Sequence, residues 1–192
     1  MEKSLVIIYT QNIRGDLALL PRLYTFIQQL QKEHEGESVL VDLGASCSDD
    51  IWHCRVTEGR SALLVLDAMG YQVVNVELSQ ASRDRLRGQV MLALVDDEHQ
   101  HEQDGLLFTT KAVDAAMETQ IVITAAEKTA FENNTLKLQA IDRGQIGIVR
   151  LDGDTIQHEV RAMPTDTLPD QIIIGVVDLV LGEVRHFKKR SE

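Results

Sequence analysis

The chain has 192 residues, of which 44% are hydrophobic and 26% charged, and it carries a formal net charge of −11. That length and apolar share support a buried core and exclude a disordered or collagen-like chain. The acidic balance excludes an electrostatic footprint for nucleic acid or for an anionic membrane surface, which need clustered Lys and Arg.

Leu5 to Tyr9 is a short apolar run rich in β-branched residues, the pattern of a strand buried on both faces. It is too short for a signal-peptide core, and no stretch approaches the ~18 apolar residues of a transmembrane helix. With only two cysteines, too few for a disulfide framework, a soluble protein of the reducing cytoplasm is expected. Leu20, Leu23, Tyr24, Ile27 and Leu30 recur at helical spacing, with Pro21 in the first turn. Ser38 to Leu43 predicts a second strand. A helix carrying Ala62, Leu63, Leu66 and Met69 follows and stops at Gly70. Gln72 to Val76 predicts a strand, and Ser79 to Arg87 a short polar helix.

Val90 to Val95 is strand-like, and the polar stretch Asp96 to Asp104 reads as an exposed loop. Leu106 to Thr109 and Ile121 to Thr124 predict strands on either side of a short helix over Lys111 to Met117. Leu136 to Ile141, Gln145 to Leu151 and Thr155 to Ala162 are further strands, the last two joined by the turn Asp152-Gly153-Asp154. Ile173, Val176, Val177, Val180, Val184 and Phe187 fit one helical face, with Lys188, Lys189 and Arg190 at its C-terminal end. Its β-branched content also allows a strand. With no repeat or linker, residues 1–192 predict one α/β domain. It is expected to be a mixed-sheet sandwich with a more antiparallel C-terminal part. Sites in such folds gather beyond the carboxyl ends of strands, which singles out the segments after Tyr9, Asp42, Val76 and Thr124.

Those segments carry a family resemblance. Ile8-Tyr9-Thr10-Gln11-Asn12-Ile13-Arg14-Gly15 resembles the T-N-D-x-H-G opening of the 5′-nucleotidase branch of the calcineurin-like metallophosphoesterases. Leu40-Val41-Asp42-Leu43-Gly44-Ala45 is similar to its L-L-D-A-G-D, and Asp67 to Val74 to the N-A-L-G-Y-D-A-V that precedes its G-N-H-E. Ile121 to Thr129 resembles the V-I-x-G-H-T-H-T segment, and Gly147 to Asp152 the later G-R-L-D strand. The resemblance covers most of the chain in ordered fragments and implies the metallophosphoesterase fold.

That family holds two bridged metal ions to activate water on a phosphoester. The positions matching its ligands carry other chemistry here. Asn12 stands for an Asp, Arg14 for a His and Ala45 for the bridging Asp. Leu78, Ser79 and Gln80 stand for Asn-His-Glu, and Ala126 and Lys128 for the two late His. Only Asn12 keeps a ligand atom, so no metal, cofactor or catalytic residue is assigned. These positions, with Ser46, make up the candidate vestigial site. Arg14 and Lys128, if they converge there, supply cations to hold an anionic ligand such as a phosphate. Pairing with Glu77, Glu127 or Asp42 would instead seal the site.

The resemblance therefore implies a non-catalytic binding or scaffold module. A phosphohydrolase with a rearranged metal site is the alternative, and it would recruit Asp42, Asp49, Asp50 or His53. Cys47, His53 and Cys54 form a C-x5-H-C cluster of zinc-ligand types, but no second ligand pair accompanies it, so packing is the expected role. His99 and His101 in the acidic stretch are expected to be solvated. Ser46 and Ser48 lack a nucleophile-elbow motif. The row Ile172-Ile173-Ile174, with Leu179 and Leu181, exceeds what one helix face buries, so a homo-oligomer or a protein partner is expected there.

Overall fold

The structure is a computed structural model and describes residues 5–34, 38–86, 88–113 and 119–191. Two sheets form its frame. The first contains β1 (Leu5–Thr10), β2 (Ser38–Asp42), β3 (Val73–Asn75), β4 (Ala93–Val95), β10 (Gln145–Asp152) and β11 (Thr155–Ala162), in the order β11-β10-β1-β2-β3-β4. β1 to β4 run parallel, and the β10–β11 hairpin joins β1 antiparallel. The second contains β5 (His101–Gln103), β6 (Leu106–Thr109), β7 (Thr119–Ala126), β8 (Ala130–Glu132) and β9 (Thr135–Gln139), in the order β5-β6-β7-β9-β8. The helices are α1 (Leu20–Glu33), α2 (Trp52–Thr57), α3 (Arg60–Ala68), α4 (Gln80–Leu86) and α5 (Gln171–Ser191).

Successive strand side chains point to opposite faces, and β1 shows what that requires. Val6 and Ile8 pack with Leu23 and Ile27 of α1, Leu66 of α3, and Ile173, Val177 and Val180 of α5. Ile7 and Tyr9 face the other way, against Phe108, Ile121, Ile123, Leu136 and Leu138 of the second sheet. The apolar run is continuous because both faces are covered. The layers are thus helices, first sheet and second sheet.

The C-terminal segment is a helix, which closes the strand alternative. Its first turn is capped by Asp170, whose Oδ1 accepts from the backbone N–H of Ile172 and Ile173 at 2.9 and 3.0 Å. Ile173, Val177, Val180 and Val184 are buried, while Ile172 and Leu179 face outward. The side chains of Phe187, Lys188, Lys189 and Arg190 lie outside the described residues, as does Arg87 at the end of the polar helix. No helix among the described residues is long and apolar enough to cross a membrane.

Several expectations are corrected. The polar stretch Asp96 to Asp104 is not all loop: β5 lies within it, pairing antiparallel with β6. As an edge strand it buries little, so its residues show no apolar alternation. Residues 111–113 of the expected Lys111–Met117 helix are not helical, and 114–118 lie outside the described residues. α2 and β8 have no counterpart in the expected elements. Cys47 and Cys54 are not merely packed: they form a disulfide, with Cα atoms 5.7 Å apart. The turn entering α2 brings them together.

Candidate functional site

Four chain segments beyond strand ends meet in one pocket of about 540 Å³. Gln11 follows β1, and Leu43 to Cys47 and Asp49 follow β2. Asn75 ends β3 and Val76 to Leu78 follow it, while Thr124 and Ala125 close β7. α2 and the start of α3 complete the wall with Cys54, Glu58, Gly59 and Leu63. These are the four segments that strand-end reasoning singles out.

The loops after β1 and β2 are zipped together by their backbones. Asn12, Arg14 and Gly15 donate to the carbonyls of Gly44, Ala45 and Ser46 at 3.1, 2.8 and 2.8 Å. The zip forces Asn12, Arg14 and Ala45 to positive φ (59°, 52° and 56°), a conformation that costs a side-chain-bearing residue about 1 kcal/mol or more. Beneath it, Asp42 is fully buried. Its Oδ1 accepts from Ser46 Oγ at 2.6 Å and the Gly44 N–H at 3.0 Å, and its Oδ2 from Thr10 Oγ1 at 2.8 Å. Thr10 Oγ1 also shares a 2.8 Å hydrogen bond with the Tyr71 hydroxyl. Burial pushes the Asp42 carboxyl up to about 6, against the pull of Ser46, Thr10 and the Gly44 N–H. Burial, with Asp42 beside it, also raises the Tyr71 phenol.

Asn75 joins the two sheets across the pocket floor. Its Nδ2 donates to the carbonyls of Leu43 (3.1 Å) and Ile123 (3.3 Å). Asn75→Ala is expected to lower the unfolding free energy by about 2 kcal/mol, because it leaves two carbonyls without that donor. Denaturant unfolding measures it, and a change below ~0.5 kcal/mol would dismiss the bridge.

The pocket wall is acidic. Asp49, Glu58 and Glu77 line it, with no Lys or Arg among the lining residues. Glu58 accepts from Ser82 Oγ and from Arg85 Nη2, and these partners hold its carboxyl below the usual carboxylate range.

The candidate residues are dispersed. Ala45, Ser46 and Leu78 line the pocket. Asn12 turns its Nδ2 to the Ile141 carbonyl at 3.0 Å, and Arg14 is exposed. Ser79 receives the Ser82 N–H at 3.2 Å at the start of α4. Gln80 lines an adjoining depression with Asp96 to His99. Ala126 and Lys128 line a separate pocket of about 580 Å³ with Gln120, Thr135 and Lys137. Ala125 faces the first pocket and Ala126 the second; Lys128 lines the second, and Arg14 lines neither.

Of the carboxylates and histidine considered for a rearranged site, Asp49 reaches the pocket, Asp42 is buried beneath it and Asp50 is exposed. His53 is buried, and its Nδ1 and Nε2 lie 2.8 Å from Ser61 Oγ and 3.0 Å from the Gly15 carbonyl. Asn75 was legible as a lone polar residue in the run Val73 to Val76. Glu58 and Glu77 carry no signal that separates them from other acidic residues.

No protein-family model and no curated protein matches the chain. A solved structure does: the crystal structure of a 5′-nucleotidase precursor from Thermus thermophilus, with a TM-score of 0.67 at 8% sequence identity. The chain has a 5′-nucleotidase-like fold. The match covers 96% of this chain and 59% of that one, so the chain spans under two thirds of the length of the 5′-nucleotidase it resembles. The mixed-sheet α/β sandwich expected from the sequence is the fold observed.

Proposed function

We propose that this 5′-nucleotidase-like domain is a non-catalytic module that works by binding, with the pocket at its strand ends as the contact surface. The observation that carries this is the identity of the wall: Ala45 and Leu78 stand in it where the resemblance calls for a bridging Asp and an Asn. Neither aliphatic side chain offers a lone pair to a metal ion. The other positions do not make up the loss. Asn12, anchored through its Nδ2 on the Ile141 carbonyl, offers a single amide oxygen, Ser79 is engaged at the first turn of α4, and Ala126 and Lys128 line a different pocket. The residues present do not fit a dinuclear centre, and no hydrolytic step is derived through one.

An anionic ligand in this pocket would meet Asp49, Glu58 and Glu77, and Coulomb repulsion weighs against it. Arg14 and Lys128 could attract phosphate only from outside that wall. The test is turnover of a generic phosphodiester and a nucleoside monophosphate with manganese or zinc present. No turnover above background is expected. Hydrolysis that a chelator abolishes would overturn the reading.

A further inference from the structure

We propose that Cys47, His53 and Cys54 become a zinc-class metal site when their disulfide is reduced. Among the described residues, these three place their ligand atoms within 4.8 Å of one another. Ligands of a tetrahedral zinc ion, about 2.0–2.3 Å from the metal, lie roughly 3.3–3.8 Å apart, so small side-chain shifts complete the set. In the oxidised chain the two sulfurs are bonded to each other and unable to act as thiolates. A dithiol donor changes that. It passes two electrons and two protons to the S–S bond, giving two thiols while its own pair closes to a disulfide. Each cysteine thiol then loses its proton as the metal binds. Both cysteines line the pocket, which gives a reductant a route to the bond.

Contacts that do not depend on the disulfide hold the ligands in place. The loop bearing Cys47 is fastened by the Arg14 and Gly15 backbone bonds to Ala45 and Ser46. The Gly59 N–H donates to the Cys54 carbonyl at 2.9 Å, closing α2. His53 is buried and neutral in character, since burial lowers its pKa. A carbonyl only accepts, so Nε2 carries the proton toward Gly15 and Nδ1 accepts from Ser61. Coordination through Nε2 requires the other tautomer, in which Nδ1–H donates to the same hydroxyl. Ser61 serves both, because a hydroxyl donates as readily as it accepts. It would then orient the ligating ring in the way outer partners of metal-bound histidines do. The cost is the hydrogen bond to Gly15. Three protein ligands leave a fourth position for water.

The inference does not depend on the proposed function, because it is read by metal uptake and not by turnover. The wild-type protein would be prepared oxidised and, under argon, reduced with a phosphine, then titrated with cobalt(II) and back-titrated with zinc. Reduced protein is expected to take one cobalt per chain, with sulfur-to-metal charge-transfer absorption that one equivalent of zinc removes. Oxidised protein is expected to show none. His53→Gln should weaken zinc binding at least ~10-fold while leaving both thiols titratable, and Cys47→Ser should abolish the absorption. Circular dichroism reports whether the reduced chain keeps its fold. Folded, reduced protein with two free thiols and no cobalt band would overturn the proposal. So would equal uptake by the oxidised form, an unaltered affinity in His53→Gln, or unfolding on reduction.

Discussion

Gly147→Ala is expected to cost the fold about 3 kcal/mol or prevent folding outright, since overpacking a closed core leaves the neighbours nowhere to move. Gly147 and Tyr9 are direct partners in the β1–β10 ladder. The Tyr9 ring lies across Gly147, and a Cβ there would overlap its Cζ and Cε1 atoms. The ring is also held at its far end. Its hydroxyl donates to the Gln139 carbonyl at 3.0 Å and lies 2.9 Å from His158 Nε2 on β11. Tyr9 therefore links the first sheet to the end of β9 in the second, and it cannot swing aside without losing both contacts. Denaturant unfolding of single and double variants checks this. In a Tyr9→Ala background, Gly147→Ala should become nearly neutral, a coupling of the size seen for side chains in direct contact. A loss under ~0.5 kcal/mol in the wild-type background would show that the strand moves to make room.

The second expected result is a pH dependence set by Asp42. Its carboxyl rises from an ordinary 3.8 to about 6 on folding. Well below pH 3.8 it is protonated in both folded and unfolded chains, and its full contribution to stability is present. As pH rises toward 6, the unfolded chain ionises first. The folded chain must then either keep the proton or bury a charge, and stability is lost. Well above pH 6 the loss is complete, at roughly 3 kcal/mol. Other groups titrate in the same range, so the measurement is the difference between wild type and Asp42→Asn from pH 4 to 7. The variant should lack this decline. Asn keeps an oxygen for Ser46 and Gly44, and its amide can donate to Thr10 once the Thr10–Tyr71 hydrogen bond reverses. Parallel curves for the two proteins would mean that Asp42 ionises freely in the folded state.

Much of the fold was legible in the sequence, for a physical reason. β1 and β2 are apolar runs because they are covered on both faces, and α1 and α5 show helical stripes because one face meets a sheet. α2 was not legible. Its six residues, Trp52 to Thr57, bury His53 and Cys54 without an apolar repeat. β5 has the same difficulty as an edge strand of polar residues. The site was legible at the level of segments, because the ends of parallel strands fall on one side of a sheet. Individual side chains were less so. The direction of Arg14 follows from a backbone turned to φ 52°, which depends on its bond to Ala45. Lys128 lies in the bend between β7 and β8, where no strand alternation or helical period fixes which pocket it lines. The isolation of Asp42 could not be read from Leu40 to Leu43 either, because Thr10, Ser46 and Tyr71 arrive from other segments.

The position of β1 bears on how the chain acquires its structure. It is the first strand among the described residues, yet it occupies an inner place in its sheet, with Leu5 opposite Leu151 and Tyr9 opposite Gly147. The parallel half of that sheet can assemble as α1 and β2 follow β1. One edge of β1 nevertheless stays open until some 140 further residues have been made. Pairings this distant in sequence slow folding, because the intervening loop must be closed before the contact repays it. During synthesis, β1 through β9 would wait with an unsatisfied apolar edge, the condition under which nascent chains mispair with one another. Arrival of the β10–β11 hairpin ends that exposure, so the last third of the chain sets the moment at which the first third becomes safe from aggregation.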